Sequence, residues 1–221
     1  MSIKNNISEI KKSISEVSES KITLVTVTKY ATTEKIMEAY ECGERNFGES
    51  YVNQLIQRAE EYPQDILWHM IGHIQTNKVK YLAKINNLEL IHSIDSIRLV
   101  EEIEKRFDRT INGLVQINLS NEDSKSGIYP DEVESFFYKL DNMKLEKLNI
   151  TGLMTISPLK GNAEDKAKCF MKLRLLKEKI NKNLKNCRLN PLELSMGMTD
   201  DYELAIKEGS SIVRIGSLIF N

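Results

Sequence analysis

Short apolar runs alternate with helical patterns along most of the chain. The first run, residues 22–28, is rich in β-branched residues and carries no charge, which is typical of a buried parallel strand. Seven further strands are predicted, over residues 46–48, 66–71, 88–94, 113–119, 148–156, 192–196 and 211–215. Helical spacing of the apolar residues between these runs predicts helices that begin near residues 32, 51, 75, 95, 131, 163 and 200.

Eight strand-helix units predict a parallel sheet with helices outside it, and that number favours a closed barrel over an open sheet. No GxGxxG sequence follows the first strand, which argues against a dinucleotide-binding fold. We therefore predict an α/β fold consisting of a single (β/α)8 TIM-type barrel, one domain over residues 1–221. Within residues 1–19, apolar positions at steps of three and four predict an extra N-terminal helix that packs on the barrel.

The composition excludes several classes of protein. Lys+Arg is 31 and Asp+Glu is 32 in 221 residues, so no excess of positive charge is available to bind nucleic acid. No apolar run is long enough to span a membrane, and the N-terminus lacks the apolar core of a signal peptide. Cys42, Cys169 and Cys187 suggest neither a disulfide framework nor a zinc site, so we expect free thiols in a cytoplasmic protein.

The chemistry of such a barrel is expected at the C-terminal ends of its strands. Lys29 directly follows the first strand and is expected to point into the mouth of the barrel, where an amine partly shielded from water can act as a nucleophile. On its position alone, a lysine at a strand end that faces water is the more common alternative.

Glycine and serine residues follow the last two strands, which is the usual phosphate site of this fold. Ser195 and Gly197 belong to the first of these turns, and Gly216 and Ser217 to the second; ordinary turn chemistry is the alternative for each. Arg214 lies within an apolar strand and needs a partner, because a buried unpaired charge is costly. That partner is either a carboxylate or a ring nitrogen of a bound ligand.

Two histidines raise the question of a metal. His69 and His73 share a face on a strand or on a helix, but no third ligand is evident nearby, so no metal site is predicted. The methionines are expected in the core or in the lining of a pocket.

Seven segments together resemble the pyridoxal 5'-phosphate (PLP) homeostasis proteins, the single-domain relatives of the alanine racemase barrel. They cover almost the whole chain in order, and two of them, WHMIGHIQTNK and the longest segment, are highly specific. The segments are VTKYAT at 27–32, RNFGESYVNQ at 45–54, WHMIGHIQTNK at 68–78, IHSID at 91–95, INLSNEDSKSGI at 117–128, GLMTI at 152–156 and LSMGMTDDYELAIKEGSSIVRIGSLIF at 194–220.

The resemblance implies that PLP is bound as a Schiff base on Lys29 and that Arg214 faces its pyridine nitrogen. It also implies roles for seven other residues in binding the cofactor. Those implied for the phosphate are Ser195, Gly216 and Ser217 with the backbone near Met196 and Gly197; those implied for the pocket lining are Asn46 and Met70.

The sequence departs from the family pattern at two positions. Ser50 stands where the family usually has asparagine, which puts an amide contact there in doubt, and the chain stops at Asn221 where relatives usually continue.

The resemblance implies a PLP-binding protein that buffers or delivers the cofactor without efficient turnover, acting as a monomer with PLP-dependent apoenzymes as possible recipients. Alanine racemases take their second base, a tyrosine, from an additional β domain, for which this chain has no room. The alternatives are a PLP-dependent racemase-like enzyme and a barrel that acts on a sugar phosphate.

Overall fold

In the computed structural model, eight parallel strands close into a barrel in which the last strand pairs with the first. The structure describes residues 2–120, 126–182 and 189–221. The order of the strands around the barrel is their order in the chain, as expected for consecutive right-handed crossovers. The strands are β1 Thr23–Val27, β2 Asn46–Glu49, β3 Leu67–Met70, β4 Leu88–Ile94, β5 Ile111–Gln116, β6 Leu148–Met154, β7 Leu189–Ser195 and β8 Ile212–Ile215.

The helices that follow the strands form a layer outside the barrel. A 3-10 turn over Thr76–Lys78 leads into the fourth helix. None of the helices in the described part of the chain is long and apolar enough to cross a membrane. The helices are α1 Ile3–Val17, α2 Thr33–Glu41, α3 Val52–Glu61, α4 Val79–Leu82, α5 Ile97–Arg106, α6 Val133–Asp141, α7 Ala163–Asn181, α8 Tyr202–Lys207 and α9 Ser217–Phe220.

The predicted barrel is confirmed, although some boundaries differ. β5 ends at Gln116 rather than 119, and the next residue, Ile117, forms an isolated bridge with Ile128. The helix predicted to begin near residue 75 starts as a 3-10 turn, and the residues after β8 form the short helix α9. Cys42 and Cys169 are free thiols, whereas Cys187 lies outside the described residues.

Side chains on alternate strand positions serve two separate cores. Leu24 of β1 packs in the large cluster between the sheet and the helices, whereas its neighbour Val25 packs inside the barrel. Val25 meets residues from four other strands there, and all five are buried. The interior cluster consists of Val25, Leu90, Leu114, Met154 and Ile212. The lower part of the barrel is therefore filled, which leaves the strand ends at the top for chemistry.

The N-terminal helix α1 completes the helical layer. Its apolar face is buried against α2, α8 and α9, and the Asn6 amide donates to the Ile219 carbonyl oxygen at 3.0 Å. Ser2 caps the helix by accepting a hydrogen bond from the Asn5 backbone. Because α9 has only four residues, α1 supplies the cover that a longer helix after β8 would otherwise give.

We predict that Ile10→Ala lowers the free energy of unfolding by about 2–5 kcal/mol, because Ile10 is fully enclosed and truncation leaves a cavity. Urea unfolding monitored by circular dichroism measures this change. Lys4→Ala, on the exposed face of the same helix, is the control and should change stability by less than about 0.5 kcal/mol. Equal effects of the two substitutions would show that α1 does not contribute its apolar face to the core.

Candidate functional site

A cavity of about 490 Å³ opens at the C-terminal ends of the strands. This volume lies within the range of small-molecule sites. Four of the nine predicted site residues line the cavity, and all four lie on or just after β1 and β8: Lys29, Arg214, Gly216 and Ser217. Since β8 pairs with β1, closure of the barrel brings these residues together.

The backbone around Lys29 is held by α3. Arg58 donates to the carbonyl oxygens of Thr28 at 2.9 Å and Ala31 at 3.1 Å, on either side of the lysine. The same guanidinium forms an ion pair with the fully buried carboxylate of Glu49 at the end of β2. A buried ion pair is costly to break, so this contact fixes the loop from which the partly exposed Lys29 side chain extends.

Arg214 is a buried cation that contacts neutral acceptors. Nη1 donates to Ser195 Oγ at 2.6 Å and Nη2 donates to the Thr155 carbonyl oxygen at 3.1 Å. Among the described residues, no carboxylate lies within salt-bridge distance of it. Burial lowers the pKa of Arg214 to about 10, an effect that the nearby Asp201 carboxylate opposes, so the guanidinium is charged at neutral pH. The sequence left a carboxylate and a ligand atom as possible partners; the observed contacts include no carboxylate.

Hydroxyl groups converge at the turns after β7 and β8. Ser217 Oγ and Thr199 Oγ1 lie 3.0 Å apart, and both residues line the cavity. A Cβ atom on Gly216 would lie 2.8 Å from the Val27 carbonyl oxygen, so glycine allows β8 to end against β1 at this point. The Met198 backbone N–H donates to Asp201 Oδ1 at 2.7 Å, which commits that donor within the turn.

Met70 does not line the cavity. It is fully buried in the cluster between the sheet and the helices, because His69 and Met70 point to opposite faces of β3. The pocket-lining role expected for Met70 stays a prediction. Met196 packs in the same outer cluster, and its backbone N–H donates to the Ile212 carbonyl oxygen at 3.1 Å.

Ser195, Gly197 and Asn46 are also outside the cavity lining. The Ser195 hydroxyl is buried in the barrel against Arg214, and Gly197 adopts a φ of +94° in close contact with α8. Asn46 is the first residue of β2, far from the C-terminal end of that strand, and its Oδ1 lies 3.0 Å from His69 Nε2. The roles expected for these three residues in binding a cofactor stay predictions.

The two histidines considered for a metal site separate in the structure. His69 is buried in the barrel next to His92, with 2.9 Å between Nδ1 and Nε2, whereas exposed His73 pairs with Asp95 at 3.0 Å. The described residues contain no group of three metal-ligating side chains. Burial lowers the pKa of His69 to about 3 and holds that of His92 well below its ordinary value.

Three residues of the site were missed from the sequence. His92 is a polar residue inside the apolar run of β4, and Thr199 is a hydroxyl in the turn after β7, so both carried a signal. Arg58 lies on a helix among other charged residues, and nothing in its local sequence indicated that it turns towards β1.

We predict that stability falls as the pH is lowered from 7 to 5. The pKa of His69 is about 3 in the folded state and 6.5 ordinarily. At a pH between these two values, His69 is protonated in the unfolded state and neutral in the folded state. This difference in proton binding lowers the free energy of unfolding by about 2 kcal/mol at pH 5. Urea unfolding of the cofactor-free protein at both pH values should therefore show a smaller difference for His69→Gln than for the wild type. The same pH difference in His69→Gln and in the wild type would contradict the prediction.

Comparison with known proteins shows the relationship of this chain. A family model described as "Alanine racemase, N-terminal domain" matches residues 1–221. A protein of Aquifex aeolicus named "Pyridoxal phosphate homeostasis protein" is 40% identical over 202 residues, 89% of this chain and 85% of that protein. A protein of the same name from Schizosaccharomyces pombe is 38% identical over 203 residues, 90% of this chain and 83% of that protein.

A solved structure agrees with the sequence matches. The structure of PipY from Synechococcus elongatus with PLP bound has a TM-score of 0.86 and 29% identity, and the match covers 99% of this chain and 100% of PipY. The family model covers the whole chain, and both curated relatives exceed 30% identity over most of their length. The chain therefore belongs to the alanine racemase N-terminal domain family and, within it, to the pyridoxal phosphate homeostasis proteins.

Proposed function

We propose that this protein binds PLP in the cavity at the top of the barrel and holds it as a Schiff base on Lys29. The observation that carries the proposal is the grouping of Lys29, a buried Arg214 and the Thr199–Ser217 hydroxyl pair around one cavity. These residues match the aldehyde, the ring nitrogen and the phosphate of the cofactor in chemical type. The PLP-bound structure of PipY supports the choice of ligand.

The phosphate is assigned to the turns after β7 and β8. The hydroxyl groups of Thr199 and Ser217, which lie side by side, would donate to its oxygens, and Gly216 would allow the backbone to approach closely. Lys35 also lines the cavity and adds a positive charge, although its ammonium group donates to the Phe220 carbonyl oxygen.

Lys29 forms the covalent link. Its Nζ would hold the cofactor by a C=N bond that takes the place of the aldehyde C=O bond, with the aldehyde oxygen released as water. Arg58 holds the carbonyl groups on both sides of the lysine, so the side chain starts from a fixed backbone. The bound cofactor supplies an electron sink, which is strongest when its ring nitrogen is protonated.

Arg214 makes efficient turnover unfavourable. An arginine does not give up its proton at neutral pH, so a guanidinium that faces the ring nitrogen keeps that nitrogen unprotonated. We therefore propose a non-catalytic role in PLP homeostasis, in which one cytoplasmic, monomeric barrel domain buffers the cofactor or delivers it to PLP-dependent apoenzymes. The names of the curated relatives support this role.

Lys29→Ala should abolish covalent trapping of PLP by borohydride, because the substitution removes the amine that forms the proposed link. Mass spectrometry of the reduced protein and mapping of the labelled peptide measure the result. The fold should be unchanged by circular dichroism, since residues at the strand ends add little to the core.

Lys35→Ala is the matched control, because Lys35 lines the same cavity from α2. It should still be trapped at Lys29. A label on Lys35 or on any other lysine of the wild-type protein would refute the assignment, and a wild-type protein that gains no mass with PLP and borohydride would refute the proposed function.

Incubation of the PLP-loaded protein with either enantiomer of an amino acid should leave that enantiomer unchanged. Chiral chromatography of L- and D-alanine after prolonged incubation measures this outcome, with an authentic racemase as the positive control. Racemisation over many turnovers per protein molecule would instead establish the racemase-like alternative.

A further inference from the structure

A chain of four hydrogen bonds runs through the interior of the barrel and ends on Arg214. Arg214 Nη1 contacts Ser195 Oγ at 2.6 Å, and Ser195 Oγ contacts His92 Nδ1 at 2.9 Å. His92 Nε2 contacts His69 Nδ1 at 2.9 Å, and His69 Nε2 contacts Asn46 Oδ1 at 3.0 Å. These five residues come from five different strands or strand ends, so the chain crosses the barrel above its apolar filling.

The residues at the two ends of this chain of hydrogen bonds determine the position of every hydrogen within it. Arg214 can only donate, and Asn46 Oδ1 can only accept. Three hydrogens, from Ser195 and two neutral imidazoles, remain for the three bonds between them. His69 must therefore donate from Nε2 to Asn46, His92 must donate from Nε2 to His69, and Ser195 must donate to His92 Nδ1. Both rings then carry their single hydrogen on Nε2.

This arrangement stabilises the buried cation without a carboxylate in contact with it, although the Asp201 carboxylate lies nearby. Every donor in the chain turns its hydrogen away from Arg214, so each lone pair faces towards the guanidinium. Aligned hydrogen bonds polarise one another, which strengthens the acceptor at Ser195. An unpaired buried charge would otherwise be expected to acquire a carboxylate partner or to be lost from the site. The lowered pKa values of both rings agree with an uncharged chain.

We infer that His92 and His69 are positioning residues for Arg214, which they hold against Ser195 with no carboxylate in contact with its guanidinium. A carboxylate in the same place would neutralise the guanidinium and weaken its field at the ligand. The identity of the ligand group that Arg214 faces rests on the proposed function. The donor-to-acceptor direction of the hydrogen bonds does not.

The proton arrangement is tested on the full-length protein without added cofactor. Imidazole nitrogens labelled with 15N are observed by NMR, and the His69→Gln and His92→Phe variants assign the signals. Both buried rings should be neutral with the hydrogen on Nε2, and neither should titrate between about pH 5 and about pH 8. A hydrogen on Nδ1 of either ring, or protonation of either ring within that range, overturns the inference.

The effect on Arg214 is tested with His92→Phe, which keeps a planar ring but breaks the chain, and with Ser195→Ala, which removes the link next to the arginine. Each should weaken PLP binding about tenfold, corresponding to about 1.4 kcal/mol. Each should also make the absorbance of bound PLP depend on pH between about pH 5 and about pH 8, because a displaced arginine no longer keeps the ring nitrogen unprotonated. The wild type and exposed-site control His73→Phe should show neither change.

Weaker binding with an unchanged pH profile in both variants would mean that the residues are only structural, which overturns the positioning role. Unchanged binding and spectra would overturn it as well. If the wild type binds no PLP while the NMR result holds, the proposed function fails and the chain of hydrogen bonds remains, so the two failures are distinguishable.

Discussion

A positive charge enclosed in the barrel is the constraint around which the upper half of the molecule is organised. Arg214 lies in β8 between apolar neighbours and is almost completely buried, yet its observed contacts are a hydroxyl and a backbone carbonyl oxygen. Burial of a charge is tolerated only where polar groups are arranged around it. Ser195, His92 and the end of β6 meet this need from one side, and the cavity lies on the other.

The fold could be predicted from the local sequence pattern because each unit of the barrel repeats the same order of an apolar strand and an amphipathic helix. Apolar runs separated by helical spacing define parallel strands, and eight of them close. The same rule placed Lys29, Arg214, Gly216 and Ser217 near one another, since strand ends converge whatever the details of packing. These four residues line the cavity because their positions follow from the order of the strands in the chain.

The remaining residues depend on side-chain direction, which local sequence does not determine. A shift of one position turns a strand residue from the interior to the helical layer, and this separates Met70 from His69. Asn46 and Ser195 are polar as the family pattern suggests, but they act through contacts across the barrel. Arg58 reaches the Lys29 loop only because α3 packs beside β1 and β2, which is information about tertiary structure.

The pairing of β8 with β1 also has a consequence for biosynthesis. Lys29 leaves the ribosome well before the residues that complete its surroundings, Arg214 to Ser217, because most of the barrel lies between them in the sequence. Because domains form as the chain emerges from its N-terminus, the nascent polypeptide carries an exposed lysine loop but no finished cavity. The cavity is therefore complete only once β8 has been made and has paired with β1, and a polypeptide interrupted before that strand has no enclosed cavity beside Lys29.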